Sequence, residues 1–378
     1  MKKGILLIGL LTLAIRGCTL PEPPYMEVTT DASVFEGRFY YEQLSESEQL
    51  IYHEIYEGLM VEQAEICTHS ADPDEANAIF LSVIYDFPEI FWADGSATAT
   101  THGVEGEKGC YTVLEPVYVY TGGEKEQMQE EIDAAVTQII SSVPAEYDEY
   151  GKIKYIYEYL INTVEYVENA PHSQNIYSSL VNHGTVCAGY AKANQYLLNE
   201  LGIECTYVLG TAAREDKTDN HAWNIVQCNG NYYYIDLTWA DPIPAEGDEN
   251  LPHVITYDYL CCSDSEIEDT HVLQEGYEYP ECASDDLNYY NANGMYYDVI
   301  DRQQLLDAAY RTIDAKESST TYKFASKELY EQAKSLIEQD VLPVSAQYLC
   351  DKYDIEKVEY YYYEEDDMNK LVVYWIYE

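Results

Sequence analysis

The sequence predicts an α+β fold in several units, and three observations predict it. Apolar residues recur at helical spacing behind two capping signals in the N-terminal third. Two strand-like runs flank Asn229-Gly230, the strongest short hairpin signal. Beyond residue 285, strand and helix patterns alternate to the last residue. With 378 residues, 47% of them hydrophobic, there is enough chain for two or three units with real cores.

Lys2 and Lys3 precede an apolar run from Gly4 to Ile15, shorter than the about 20 residues a spanning helix needs. Residues 1–17 therefore read as an export signal. The run ends in Ile15-Arg16-Gly17-Cys18, which resembles the lipobox of bacterial lipoproteins. That resemblance implies lipidation at Cys18 and an exported chain anchored on the outer face of the cell membrane, with plain secretion as the alternative. Residues 18–35, rich in Pro and Thr and without an apolar period, read as a tether.

Residues 36–122 form the first unit. Ser45 and Glu48 make a capping box ahead of Leu50, Ile51, Ile55 and Leu59. Asp72 and Glu75 repeat the signal ahead of AIFLSVIYDF, which Pro88 closes. YTVLEPVYVY (111–120) has strand composition, and its Pro116 argues for a sheet edge.

Residues 123–284 form the second unit. After Thr121-Gly122-Gly123 come two helices, the second with Ile153, Ile156, Leu160, Val164 and Val167 on one face. A loop containing Pro171 leads to a helix that starts at Cys187. It carries Ala191, Asn194, Leu198 and Leu201 at helical spacing, and Gly202 ends it. Strands follow at 203–209, HAWNIVQ and YYYIDLTW. Residues 285–378 form the third unit: strand, helix (302–316), strand, helix (326–338), and a hairpin around Asp366 to Asn369.

The balance of 20 basic against 69 acidic residues gives a net charge of −49. Such a surface repels phosphate backbones, so nucleic acid is excluded as a partner. The acidity reads as a solvated face, with attraction of lysine-bearing substrates as the sharper alternative. The 41 Tyr against 6 Phe suit half-exposed strands and peptide- or carbohydrate-facing surfaces. Apart from Cys18, nine cysteines are spread without a CxxC pair, so neither a disulfide scaffold nor a zinc site is expected. Histidines 53, 69, 102, 172, 183, 253 and 271 have no ligand spacing and read as ordinary. No metal and no cofactor is expected, and the sequence is silent on oligomeric state.

Cys187 sits where a loop enters a helix, a place whose free N–H groups favour a thiolate. A thiol nucleophile needs a base, and the base needs an orienting group. The hairpin supplies both. A two-residue turn at Asn229-Gly230 pairs Cys228 with Asn231. Continued, it sets Thr238 opposite His221 and Trp223 opposite Asp236. His221 and Asp236 are then diagonal neighbours on one face, roughly 7–8 Å apart. A three-residue loop would put them on opposite faces.

The strings GTVCAGYAKA, DNHAWNIV and YYYIDLTWADP resemble the three motifs of the transglutaminase-like superfamily in its bacterial branch. The resemblance covers roughly residues 124–260. DFPEIFW is more weakly similar to the leading region of secreted Firmicute proteins of this type. The resemblance implies a papain-like core, a helix carrying the nucleophile packed on an antiparallel sheet, flanked by the smaller α+β units. It implies Cys187 as nucleophile, His221 as base and Asp236 as its orienter. The implied activity is acyl transfer on protein or peptide substrates outside the cell, through a thioester resolved by water or an amine. Two alternatives stand beside it: a catalytically silent scaffold binding a surface protein or wall polymer, and a peptidase or amidase of cell-wall peptides. Trp223 and Trp239 read as core packing, Asp241-Pro242 as a turn, and Gly184 and Gly189 as sites of close packing. The backbone N–H of Cys187 is the default oxyanion donor, with Gln174 as a candidate.

Overall fold

A computed structural model describes residues 23–103, 109–214, 217–240 and 255–377. The export signal, Cys18, Asp241-Pro242 and His253 lie outside the described residues. Among the described residues no helix is long and apolar enough to cross a membrane.

Both helices that carry capping signals in the first unit start where those signals predict, although Glu75 bonds Ser70 and does not close a box with Asp72. Ser45 and Glu48 close a capping box on the helix Glu46–Met60. Asp72 accepts from the Asp74 N–H at the start of Pro73–Asp86. The strand Tyr111–Tyr118 lies at the centre of a three-stranded sheet, between Ile66–Thr68 and Ala93–His102. That corrects the edge placement. The short strand pairs only with Thr112, Val113 and Leu114, so Pro116 lies beyond its reach and no ladder N–H is missing. The strand Ala93–His102 has no apolar alternation in sequence, because beyond Ala93 its inward positions are small (Gly95, Ala97, Ala99, Thr101).

The second unit is a five-stranded antiparallel sheet against helices. The strand order is His271–Leu273, Cys205–Arg214, Lys217–Cys228, Asn231–Ile235 and Leu260–Cys262. The helix Cys187–Glu200 packs on this sheet, with Ala191, Asn194 and Leu198 buried. Asn224 fastens the two layers. Its Nδ2 donates to the Ala191 carbonyl (2.9 Å) and the Thr206 carbonyl (3.2 Å), and its Oδ1 accepts from Asn194 (3.0 Å).

The first two units share one continuous core, running from Phe35 to Cys282. The second half of the expected tether is docked on it: the Thr29 and Thr30 N–H groups and hydroxyls all donate to Glu57 Oε1. Tyr40 reaches from the first unit to donate to the Tyr207 carbonyl (2.8 Å). Beneath it, buried Asp86 accepts from the Tyr40 and Tyr41 N–H groups and the Tyr52 hydroxyl. Burial pushes the Asp86 carboxyl up to about 7 against those hydrogen bonds.

The third unit has its own core from Tyr297 to Trp375. Its sheet runs Tyr296–Tyr297, Ser319–Phe324, Lys370–Trp375 and Tyr360–Glu365. The final hairpin falls where expected, and the helix Arg302–Ala315 does too. The later helix differs. Lys327–Leu336 continues through a π turn into Leu342–Tyr353, because Pro343 occupies the first turn, where a missing N–H costs nothing.

Candidate active site

The loop before Cys187 is packed against the helix it enters. A Cβ on Gly189 would lie 1.9 Å from Thr185 Oγ1 and 3.0 Å from the Ser173 carbonyl, so only glycine fits there. Gly184 is different: a Cβ would meet only Val167, at an ordinary 3.5 Å. Cys187 is the first residue of its helix and half-buried. Its backbone N–H, the first of the helix, has no intrahelical partner, which suits it to a developing oxyanion.

The hairpin register is the two-residue one. Cys228 pairs with Asn231, and the ladder continues to Asn224–Ile235. It stops there, so Thr238 does not face His221 from a strand. The reason is Asp236 itself: its Oδ1 accepts from the Thr238 N–H (2.9 Å) and the Trp239 N–H (3.1 Å), turning the chain into the short helix Leu237–Ala240. The other carboxylate oxygen, Oδ2, accepts from His221 Nε2 at 2.7 Å. One carboxylate thus serves both as a helix cap and as the partner of the imidazole.

With Nε2 committed to Asp236, Nδ1 is the nitrogen His221 has left for Cys187, which borders the same groove and interacts with the imidazole. Burial disfavours the imidazolium, but Asp236 and then Cys187 outweigh it and raise His221 to about 10. Burial likewise opposes the charge on Asp236, yet His221 and His271 hold that carboxyl far below the usual carboxylate range. The structure therefore brings all three sequence-derived residues together, around an imidazolium buried between a thiol and a carboxylate. Cys205 and Cys228 are buried, and burial pushes both thiols up.

An open groove of about 600 Å³ runs past Cys187 and His221. Gln174, Tyr207, Asn220 and Gln274 line it, and among the described residues no Asp, Glu, Lys or Arg does. The Gln174 carbonyl accepts from Lys192 Nζ (3.2 Å), which ties the loop carrying Gln174 to the cysteine helix. Trp223 is buried with its ring stacked near His221 (5.8 Å), and half-buried Trp239 covers the imidazole from another side (5.9 Å).

Sequence reasoning missed one residue here. His271, taken as ordinary, is buried with Nε2 3.0 Å from Asp236 Oδ2. It arrives from the far end of the five-stranded sheet, 35 residues beyond Asp236, so neither motif nor spacing points to it. The donor atoms of His221, Asp236 and His271 lie within 4.8 Å of one another, close enough for a metal. Both imidazoles, however, aim Nε2 at a single oxygen over hydrogen-bonding distances, so protons already satisfy all three groups. Asn224, the bolt between helix and strand, was legible only as part of a motif string.

A thiol at a helix start, with a base and an acid supplied by an antiparallel sheet, defines a cysteine site of the papain-like kind on an α+β fold. Residues 134–237 match the family model of the transglutaminase-like superfamily, and the chain carries a transglutaminase-like domain. That stretch contains Cys187, His221 and Asp236. Similar solved structures include a Cytophaga hutchinsonii protein proposed to be a cysteine protease, with 17% identity over 38% of this chain and 62% of that one, at a TM-score of 0.26. A TGase shares 16% identity over 44% of this chain and 48% of its own, at a TM-score of 0.27. A Parabacteroides distasonis protein proposed to be a protease shares 12% over 36% and 35%, at a TM-score of 0.22. The chain thus spans less than two thirds of the length of each. No curated protein matches it.

Proposed function

We propose that this protein is an extracellular cysteine acyl-transfer enzyme acting on amide groups of proteins or peptides. The observation that carries the reading is the buried His221 imidazole, bonded to Asp236 through Nε2 and sharing one groove with Cys187 at the start of its helix. A scaffold has no physical need for a buried charge relayed to a thiol, and burying one without compensation is costly.

In the proposed cycle the Cys187 sulfur attacks the amide carbonyl, and the thiol proton resides on His221 Nδ1. The oxyanion forms beside the Cys187 N–H, with Gln174 as a second candidate donor. Collapse breaks the C–N bond, and His221 delivers its proton to the departing nitrogen, leaving a thioester. Water or a primary amine then attacks the thioester as His221 takes its proton, and Cys187 leaves as the thiolate beside the imidazolium. Asp236 stays anionic throughout and orients the ring. Apart from His221 itself, the described residues of the groove carry no acidic or basic side chain, which favours an uncharged acyl segment, whatever the charge elsewhere on the chain.

Export and a lipid anchor at Cys18 complete the proposal and would place the substrate outside the cell. The test is mass spectrometry of the protein incubated with glutamine- and lysine-bearing peptides. Ammonia loss, a crosslink, or chain cleavage, each abolished in Cys187→Ala, supports acyl transfer and identifies its acceptor. Unchanged peptides across a broad panel would reject it.

A further inference from the structure

His271 opens the edge strand His271–Leu273 and stands opposite Ala212. Its side chain is 1% exposed. The ring is enclosed by Trp239 (4.5 Å), Trp223 (5.1 Å) and His221 (5.6 Å). Nε2 lies 3.0 Å from Asp236 Oδ2, the same oxygen that His221 Nε2 reaches at 2.7 Å. An imidazole bonds an ionised carboxylate only by donating, so His271 Nε2 carries a proton.

The other nitrogen, Nδ1, lies 2.8 Å from Thr270 Oγ1, and that hydroxyl is also 3.1 Å from the Ile267 carbonyl. Two proton arrangements satisfy every atom. Thr270 can turn its hydrogen to Nδ1, leaving a neutral ring. Alternatively it donates to Ile267, and a protonated Nδ1 donates to Thr270. In both, the Nε2–H remains on Asp236.

Asp236 therefore has four donors: two backbone N–H groups on Oδ1 and two imidazoles on Oδ2. A buried carboxylate stripped of one donor keeps an unsatisfied lone pair and gains freedom to rotate toward another partner. We propose that His271 is a positioning residue for the reaction: its Nε2–H fixes the Asp236 carboxylate in the orientation that holds His221 toward Cys187. The inference rests on the proposed acyl-transfer reading of the site.

The experiment is iodoacetamide labelling of Cys187 in the full-length protein near neutral pH, read by mass spectrometry. His271→Phe keeps an aromatic ring between the two tryptophans and removes the donor. It should slow labelling by about tenfold, the low end of what a hydrogen bond to a charged group is worth. His271→Gln can return an N–H donor and should recover most of that rate. Equal rates in wild type and His271→Phe would overturn the proposal. Equal losses in the Phe and Gln variants would overturn it too, since packing alone would then explain the loss. Should His271→Phe fail to fold, histidine-labelled wild type provides the same test by NMR: two slowly exchanging Nε2–H protons support the proposal, and one rejects it. His221→Ala, run alongside, separates the two claims. If that change leaves Cys187 labelling untouched, the acyl-transfer reading itself fails; if only the His271 variants are silent, His271 alone is misassigned.

Discussion

Asp236→Asn is the most informative change at the site, because the structure shows what it keeps and what it removes. The asparagine Oδ1 can still accept from the Thr238 and Trp239 N–H groups, so the short helix keeps its cap. Its Nδ2 then faces His221 and His271, where the aspartate accepted from both. An amide NH₂ donates, so the facing Nε2 of His221 must become an acceptor and its proton must move to Nδ1. That nitrogen faces Cys187 and can no longer take the thiol proton. Raising an imidazole from 6.5 to about 10 corresponds to about 5 kcal/mol of imidazolium stabilisation, at ~1.4 kcal/mol per tenfold. Asp236 is the larger of the favourable causes. Assigning it about 3 kcal/mol predicts a fall in the Cys187 labelling rate of about 10² near pH 6.5. Circular dichroism should show an intact fold. A folded Asp236→Asn protein that labels at the wild-type rate would refute the reasoning.

In wild type, Cys187 should be the fastest thiol to label near neutral pH. His221→Ala should slow it by one to two orders of magnitude, and replacing buried Cys205 should leave the rate unchanged; peptide-level mass spectrometry checks all three. Cys18→Ala should release the protein from the membrane fraction or leave it unprocessed, as fractionation and N-terminal sequencing would reveal. A chelator should leave the melting temperature unchanged, because hydrogen bonds already satisfy His221, Asp236 and His271; a fall in melting temperature would show a bound metal there. His221 has a raised value in the fold, so its contribution to stability is complete below about 6.5 and is lost as pH rises through about 10. Wild type should therefore lose melting temperature between pH 7 and 10.5, and His221→Phe should lose less over that window.

Most of the site was legible because its geometry is local. A two-residue turn fixes the register of every residue on both strands, so Asn229-Gly230 was enough to put His221 and Asp236 on one face. Strand composition continues through 232–239, yet the strand itself ends at Ile235. The capping ability of the Asp236 side chain ends it there. His271 was out of reach for the opposite reason. Its strand has three residues and pairs across to Cys205–Arg214, a contact that no pattern in the intervening chain encodes. In the first unit, Ala93–His102 escapes the pattern because its inward positions are Gly, Ala and Thr, too small and weakly apolar to mark the alternation of a half-buried strand. The helix Leu342–Tyr353 was missed because a proline usually ends a helix, and here it begins one.

The third unit belongs in any account of the site, although it lies away from the groove. Asp258, buried in the second unit, pairs with Lys323 (2.8 Å) and with Lys370, both on strands of the third. Tyr290 and Thr256 donate to the same carboxylate. Burial opposes its charge, but Lys370 and Lys323 hold it far below the usual carboxylate range. Such a cluster adds little net stability while intact, since desolvation offsets much of the attraction. Losing one side of it is another matter, at about 3–5 kcal/mol for a stranded buried charge. The neighbouring residue is Tyr259, whose carbonyl accepts the Asp236 N–H (3.1 Å). A chain cut near residue 284 would leave Asp258 with neither lysine, one residue from the backbone that seats the acid of the site. The second unit can look self-sufficient by its motifs and its sheet, yet its acid is braced through a charge that Lys323 and Lys370 of the third unit neutralise.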